Sequence, residues 1–519
     1  MRKPSWSDMV RSYLLPALLL VLATGAVYSG TLGHQFLLNW DDELYVTGNE
    51  AIRGFSLDHL HQAFTRYYVG NYAPLQIVSY MLDYSLWGLD PRGFHLTNLL
   101  LHTLNGLLFY LLVFRLQGDR WWAMAAAGVF LCHPVQVESV AWVSQRKNLL
   151  AMGFFLLAFL AYVNYRGTGR AGWYWGSMGA FLLALLAKSV AVVFPLALVG
   201  YDLCFRGPTE RRHWLRDKLP FVGVALLAAL LAVRSQASDF GGGLTAYHGG
   251  SPLITMLTML PVLLSYLSLL FWPSRLAAVY VPVMRTGLDG PVILALLVLC
   301  LLAGAGWFWA RRGGRRDLAF WLGIFFVGLL PVSQIVPLVT LMNDRYLYFP
   351  MLGFAALVTA WPRPLLARLG PAWRLPVVAV TLLLVTVLAL ATQRRLPVWR
   401  DSLSLWSDAV TKAPDSNVAW MGMADVYLRQ GKLDLARAAY LMSRDLLPDN
   451  PDADFGLACV AAQAGQHAEA LALLAEAFRK GFRGFEPLAT EPALAGLRQE
   501  PAFISLVDRY RSGPGTKPR

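Results

Sequence analysis

Charge is scarce in this sequence. Only 15% of its 519 residues are Asp, Glu, Lys or Arg, while 56% are hydrophobic. A soluble protein of this length carries about 25% charged residues, so the composition excludes a water-soluble enzyme and leaves a polytopic membrane protein. Cysteine is scarcer still, at four residues. Cys132, Cys204 and Cys300 lie in apolar runs and Cys459 stands alone in the polar tail, which excludes a disulfide framework. Nucleotide-binding glycine patterns are missing too, with no Walker-type loop and no Rossmann fingerprint after a soluble strand. His59, His61 and His248 are scattered and make no zinc spacing. The formal net charge is +13, and nearly all of the surplus sits in residues 1–393, with 29 basic against 17 acidic side chains. Residues 394–519 are close to neutral. A basic surplus confined to the hydrophobic part points to membrane topology and away from nucleic acid.

What is present is a series of apolar runs long enough to cross a bilayer. The pattern predicts an all-α membrane bundle of about 11 spans, at about 12–32, 94–114, 121–138, 148–165, 172–187, 190–205, 219–234, 291–310, 318–338, 347–362 and 375–393. The first is read as an uncleaved span, not a signal peptide. Short connections rich in Arg and Lys fall on alternate sides: Arg2, Lys3 and Arg11; Arg115 and Arg120; Arg166 and Arg170; 206–218; 311–316; and Arg363, Arg368 and Arg374. They hold 19 of the 29 basic residues, the positive-inside signature, so the N-terminus is expected in the cytoplasm. The run 254–272 is long enough to span but would break this alternation, and is expected to be a re-entrant or interfacial helix, or half of an extra hairpin. The C-terminus is then extracytoplasmic, together with 33–92, 133–147, Lys188, 234–285 and 331–346.

The tail, 397–519, repeats itself at a 34-residue interval. Ala424 pairs with Ala458, Gly431 with Gly465 and Ala436 with Ala470. Trp420, Tyr427, Gly431, Ala436, Tyr440 and Pro448 have tetratricopeptide-repeat spacing. Small residues let two antiparallel helices approach, and Pro448 ends the second. Trp406 and Pro414 begin a preceding half-repeat, and 482–507 reads as a degenerate cap. Such a module binds peptide or protein, or braces the rest.

Polar residues suited to chemistry gather in the outer segments. The first outer loop opens with NWDDELYVTGNE, where Asp41, Asp42 and Glu43 follow a span directly. Carboxylates beside hydrocarbon are costly, so a role or a partner is expected for each. In extended backbone Asp41 and Asp42 point to opposite sides, one toward a cavity as general base and one toward a neighbouring helix. Asp41 and Glu43 on one side could instead share a divalent cation, and a solvated acidic turn is the plain alternative. Further on, Leu57, Leu60, Phe64 and Tyr67 have the spacing of an amphipathic surface helix, and a second follows over 75–89. HPVQVESVAWVSQRKN places His133, Glu138, Arg146 and Lys147 at the outer ends of two spans, where a bracing Glu–Arg pair is the simple reading. Lys188 sits between two apolar runs, and Asp344, Arg345 and Tyr346 lie at the mouth of another span. Arg grips phosphate through its planar fork. Carboxylates, cations and surface helices on one face fit an enzyme that works on a lipid phosphate.

The order of WDDELYV, HPVQVESVAWVSQRKN, LLAKSVAVVFP and NDRYLYFP, followed by tetratricopeptide repeats, resembles the transmembrane-and-tetratricopeptide-repeat (TMTC-like) proteins and their bacterial relatives. These fall in the GT-C glycosyltransferase superfamily with the protein O-mannosyltransferases. The resemblance implies a GT-C-type domain over 1–393 in a bacterial inner membrane with periplasmic repeats. It implies a polyprenyl-phosphate sugar donor, no metal or other cofactor, and an inverting transfer to a hydroxyl acceptor, a protein or glycan docked by the repeats. Asp41 or Asp42 would be the base, Asp41 slightly favoured. Lys188 and Arg345, with Arg146 or Lys147, would hold the lipid phosphate, supported by Glu43, His133, Glu138, Asp344 and Tyr346. Two other readings stay open: a scaffold that presents the repeats to a periplasmic partner, and a transporter of lipid-linked sugars.

Overall fold

A computed structural model describes residues 10–206, 215–236, 246–311 and 314–511. Arg2, Lys3, Arg211, Arg212 and Arg312, which contribute to the expected basic loops, lie outside the described residues. Among the described residues the secondary structure is helical, without strands, as the periodicity implies. The chain divides into two compact units, Met1–Leu276 with Pro282–Asp401, and Ala277–Val281 with Ser402–Arg519. The first therefore runs past the expected end at 393, because Leu396 and Trp399 are buried within it.

In the first unit seven helices are long and apolar enough to cross a membrane: Ser12–Gly33, Pro91–Gln117, Val143–Thr168, Arg216–Gln236, Pro252–Phe271, Gly290–Arg311 and Leu375–Trp399. An eighth span is possible where Arg120–Cys132 and Pro134–Ala141 meet at 51°. The bend falls at His133 and Pro134, where the ring cannot continue the helix and the His133 Nδ1 accepts the Val135 N–H at 3.2 Å. Two expectations change. Residues 254–271 belong to one continuous 20-residue helix, Pro252–Phe271, that qualifies as a span by length and composition. Three expected crossings are shorter apolar helices, Ala171–Ala187, Ser189–Phe205 and Pro350–Ala360.

The helix Arg146–Thr168 organises the bundle, packing against Ala171–Ala187 on one side and Pro91–Gln117 on the other. Near its C-terminal end Tyr162 and Arg166 join a buried ionic cluster. Lys218 Nζ lies 2.5 Å from Asp202 and 2.9 Å from Asp217, Arg166 Nε lies 3.2 Å from Asp202, and the Tyr162 hydroxyl donates to Asp217 at 3.0 Å. Arg146 and Lys147 begin the same helix at its opposite end. The first outer loop folds around Phe36, Tyr45, Ile52, Ile77, Tyr80 and Phe94. Both expected surface helices form there, as Leu57–Thr65 and Pro74–Trp87, and Leu57 and Phe64 remain exposed.

Arg316–Leu329 and Pro350–Ala360 cross so closely that only glycine fits at the contact. A Cβ on Gly353 would lie 2.3 Å from the Phe325 backbone nitrogen and 2.5 Å from the Trp321 carbonyl oxygen. In the second unit the 34-residue interval recurs as a packing contact. The Trp406 ring covers Gly422 and the Tyr440 ring covers Gly456, each within the room that a Cβ would need. Helices Asn417–Arg429 with Leu433–Leu446, and Pro451–Gln463 with His467–Arg479, form the paired hairpins of a tetratricopeptide array. Gly353→Ala will lower stability by about 1–3 kcal/mol, since overpacking outweighs the gain in helix propensity. A lower midpoint in thermal unfolding of the detergent-solubilised protein checks this.

Candidate active site

The first outer loop and the segment after the 51° bend meet through Asp42. Its carboxylate accepts the Leu37 N–H at 2.9 Å on one oxygen, and on the other the Ser144 N–H at 2.9 Å and the Ser144 hydroxyl. Burial pushes the Asp42 carboxyl up to about 6, while the bonds from Leu37 and Ser144 act the other way. Both oxygens are occupied, which makes Asp42 a tie between two parts of the chain.

Asp41 differs. Asp42 has helical backbone angles, φ −64° and ψ −29°, and the helical turn continues into Glu43–Thr47. The two aspartates therefore diverge by about 100° as on a helix, not as in the extended backbone expected for them. Asp41 is half-buried, and among the described residues it has neither a hydrogen bond nor an ion pair. Its charge acts on Lys147, Arg345 and the Tyr45 hydroxyl. The same turn sets Glu43 about 200° away from Asp41, which removes the geometry for a cation shared between them. Among the described residues no group of three or more potential metal ligands exists.

Three cations converge here. Lys147 Nζ donates to the Tyr45 hydroxyl at 3.2 Å, and Lys188 Nζ donates to Asn148 Oδ1 at 2.6 Å. Glu138 fixes Arg345 twice, accepting its backbone N–H at 2.7 Å and its Nη1 at 2.5 Å. The Arg345 guanidinium lies 5.4 Å from the Trp142 ring centre. Burial opposes its charge, but Glu138 outweighs that and keeps it protonated, with Asp41 adding to the effect. Lys188 is pushed well below the usual lysine range, by burial first and then by the Lys147 and Arg345 charges. An arriving anion would offset the repulsion that Lys147 and Arg345 exert on Lys188.

Lys147 and Lys188 share a cavity of about 210 Å³. Asn71 and Tyr72 also face it, and Leu182 and Leu185 of one helix oppose Leu227 and Leu231 of another along its length. Leu182, Leu227 and Leu231 are exposed, so the apolar part opens outward between these helices. Above it the chain turns at Val69 and Gly70, with φ +49° and +67°. Valine is strained in that region, and the turn is held by Tyr45, whose hydroxyl donates to the Tyr68 carbonyl at 3.0 Å.

Other expected site residues lie elsewhere. Arg146 does not reach a phosphate. It is fully buried and paired with Asp83 at 2.5 Å, with Nε on Asn98 at 2.9 Å and Nη2 on the Phe94 carbonyl at 2.8 Å. His133 braces the bend, its Nε2 2.9 Å from the Leu270 carbonyl. Asp344 is buried at the start of the turn that carries Arg345, and the Tyr346 hydroxyl bonds Thr340 at 2.8 Å. Sequence reasoning did not single out Tyr45, Asn71, Ser144 or Asn148. Ser144 and Asn148 lie within a quoted motif, but no spacing signals a bond from Ser144 to a residue 102 positions away.

These features define a polytopic helical membrane protein with a carboxylate and cations at one end of its bundle and, later in the chain, a tetratricopeptide module. The tetratricopeptide repeat family matches residues 390–451. Protein O-mannosyl-transferase TMTC3 of Mus musculus is 26% identical over 73% of this chain and 45% of its own length. Protein O-mannosyl-transferase Tmtc1 of Drosophila melanogaster is 25% identical over 75% of this chain and 56% of its own. A shorter match, 34% identical over 26% of the chain, is to Protein O-mannosyl-transferase TMTC2 of Mus musculus, of which it covers 16%. The chain thus spans about half the length of the curated relatives that it matches most extensively, and it is TMTC-like as its motifs suggest.

Asp42→Asn will cost about 1–3 kcal/mol of stability, because an amide NH2 must then face the Leu37 or Ser144 N–H. Asp41→Asn will change it by less than about 0.5 kcal/mol. Thermal unfolding of both variants, side by side, checks the difference.

Proposed function

We propose that this chain is a membrane glycosyltransferase that moves a monosaccharide from a polyprenyl-phosphate carrier to a hydroxyl acceptor, with inversion at the anomeric carbon. The observation that carries this reading is the pairing of two features. A carboxylate without a bonded partner among the described residues faces Lys147 and Arg345, and Lys147 and Lys188 head a leucine-lined cavity. A lipid phosphate needs both halves of that cavity, cations for its head and an apolar path for its chain. The names of the relatives favour mannose as the sugar and a protein hydroxyl as the acceptor.

In this reading Asp41 takes the acceptor proton as the acceptor oxygen attacks the anomeric carbon from the face opposite the phosphate. The bond from that carbon to the phosphate oxygen breaks, and its electron pair leaves with the phosphate. Lys147, Lys188 and Arg345 meet the charge that develops there. Asp42 holds the Asp41 turn in place. In this reading the site lies on the extracytoplasmic side of a bacterial inner membrane, and the basic short loops support that side.

With purified protein in detergent, polyprenyl-phosphate mannose and a serine- and threonine-containing peptide, Asp41→Asn will lower transfer by about 10²–10⁴-fold. Full transfer by a folded Asp41→Asn would sink the reading. Lys188→Gln will weaken donor use by about tenfold or more in kcat/KM, as loss of a charged hydrogen bond worth about 1.5–3 kcal/mol requires.

A further inference from the structure

The transfer chemistry leaves a stack of three tryptophans unexplained. Trp399 ends the Leu375–Trp399 span and is 1% exposed. Its ring stacks on Trp142, with centroids 5.8 Å apart at 27°, and on Trp40, at 6.3 Å and 26°. Trp40 and Trp142 close the triangle at 4.7 Å. The indole N–H groups of Trp142 and Trp399 are buried without a hydrogen-bond partner among the described residues. Leaving a buried donor unmet is unfavourable, so what these positions use is the shape of the ring.

Each of the other two rings leads to a group that the reaction needs. Trp40 precedes Asp41 by one peptide bond. Trp142 lies under the Arg345 guanidinium. One indole, Trp399, therefore backs both the proposed base and a cation that meets the leaving phosphate. The backbone repeats the tie, since the Gln35 N–H donates to the Arg400 carbonyl at 2.8 Å. Leu37, two residues on from Gln35, is the residue bound by Asp42. The first outer loop is thus fastened to the end of the last span on one side and to Ser144 on the other.

We propose that Trp399 is a positioning residue that sets the separation of Asp41 from Arg345, so that the end of the last span completes the site. The proposal rests on the transferase reading. Its indole backs both rings, and its removal leaves a cavity into which the contacting pair Trp40 and Trp142 shifts, carrying Asp41 and Arg345 with it.

The test uses the full chain in detergent micelles, with polyprenyl-phosphate mannose as donor, and normalises rates to folded protein. Trp399→Ala should lower kcat by about 10²-fold, the cost of ~1 Å of misplacement, while KM for the donor changes far less. Trp399→Phe, which keeps a flat ring, should recover most of kcat. Should Trp399→Ala not fold, Trp399→Leu is compared with Trp399→Phe, and the aliphatic variant should be the slower per folded molecule. Wild-type kcat in Trp399→Ala or Trp399→Leu overturns the proposal, and so does equal loss in Trp399→Phe. Asp41→Asn is run in the same assay. If it stays active the transferase reading fails, whereas an inactive Asp41→Asn beside a fully active Trp399→Ala removes the positioning role alone.

Discussion

A carboxylate buried to 1% exposure, Asp42, joins two stretches of chain that are 102 residues apart. Much of the outer end of the bundle depends on that junction. It holds the turn on which Asp41 sits, and it holds Ser144, three residues before Lys147 on the same segment. Burying a carboxylate in an apolar surrounding is unfavourable unless its oxygens are met by donors. The Leu37 and Ser144 donors supply those contacts, so the tie is stable in one geometry only. The adjacent acid is left with no such donors among the described residues, and its half-buried charge is instead balanced at a distance by Lys147 and Arg345. Two neighbouring aspartates thus reach different fates through their surroundings: one is occupied by structure and the other remains open to chemistry.

The cations divide in the same way. Arg146 and Lys147 are adjacent in sequence, but Arg146 is enclosed by Asp83, Asn98 and the rings of Tyr80 and Phe94, whereas Lys147 reaches the cavity. Arg345 is intermediate, fixed by Glu138 yet 15% exposed along its side chain. The site therefore combines one guanidinium held by a carboxylate with two lysines on one cavity, a gathering of positive charge that favours an anion over a neutral ligand.

Much of this was legible in the sequence. Apolar length pointed to the membrane class, and the 34-residue interval pointed to the repeats, while the packing of Trp406 and Tyr440 over Gly422 and Gly456 emerged from the structure. The residues that meet at the outer end, Asp41, Lys147, Lys188, Glu138 and Arg345, were all visible as polar groups at the ends of apolar runs. What could not be read was pairing. Arg146 and Lys147 look equivalent in a string of residues, and only the position of Asp83, one turn from the end of another helix, separates them. For the 254–272 run, charge alternation and length point in different directions, and the helix Pro252–Phe271 is long and apolar enough to span. The acidic turn was misjudged because three consecutive acids carry no signal of helical backbone until Asp42 finds its donors.

The helix Arg146–Thr168 is held at both ends, by the Asp83 pair at its start and by the Asp202, Asp217 and Lys218 cluster near its finish. Lys147 and Arg166 are about 19 residues and so ~28 Å apart along the axis. A helix pinned in this way behaves as a rigid gauge. It cannot slide its polar ends to suit a thicker or thinner bilayer without breaking buried ion pairs, so the lipid must adjust to the protein. The two pinned ends thus stand ~28 Å apart, close to the ~30 Å of an ordinary hydrocarbon core.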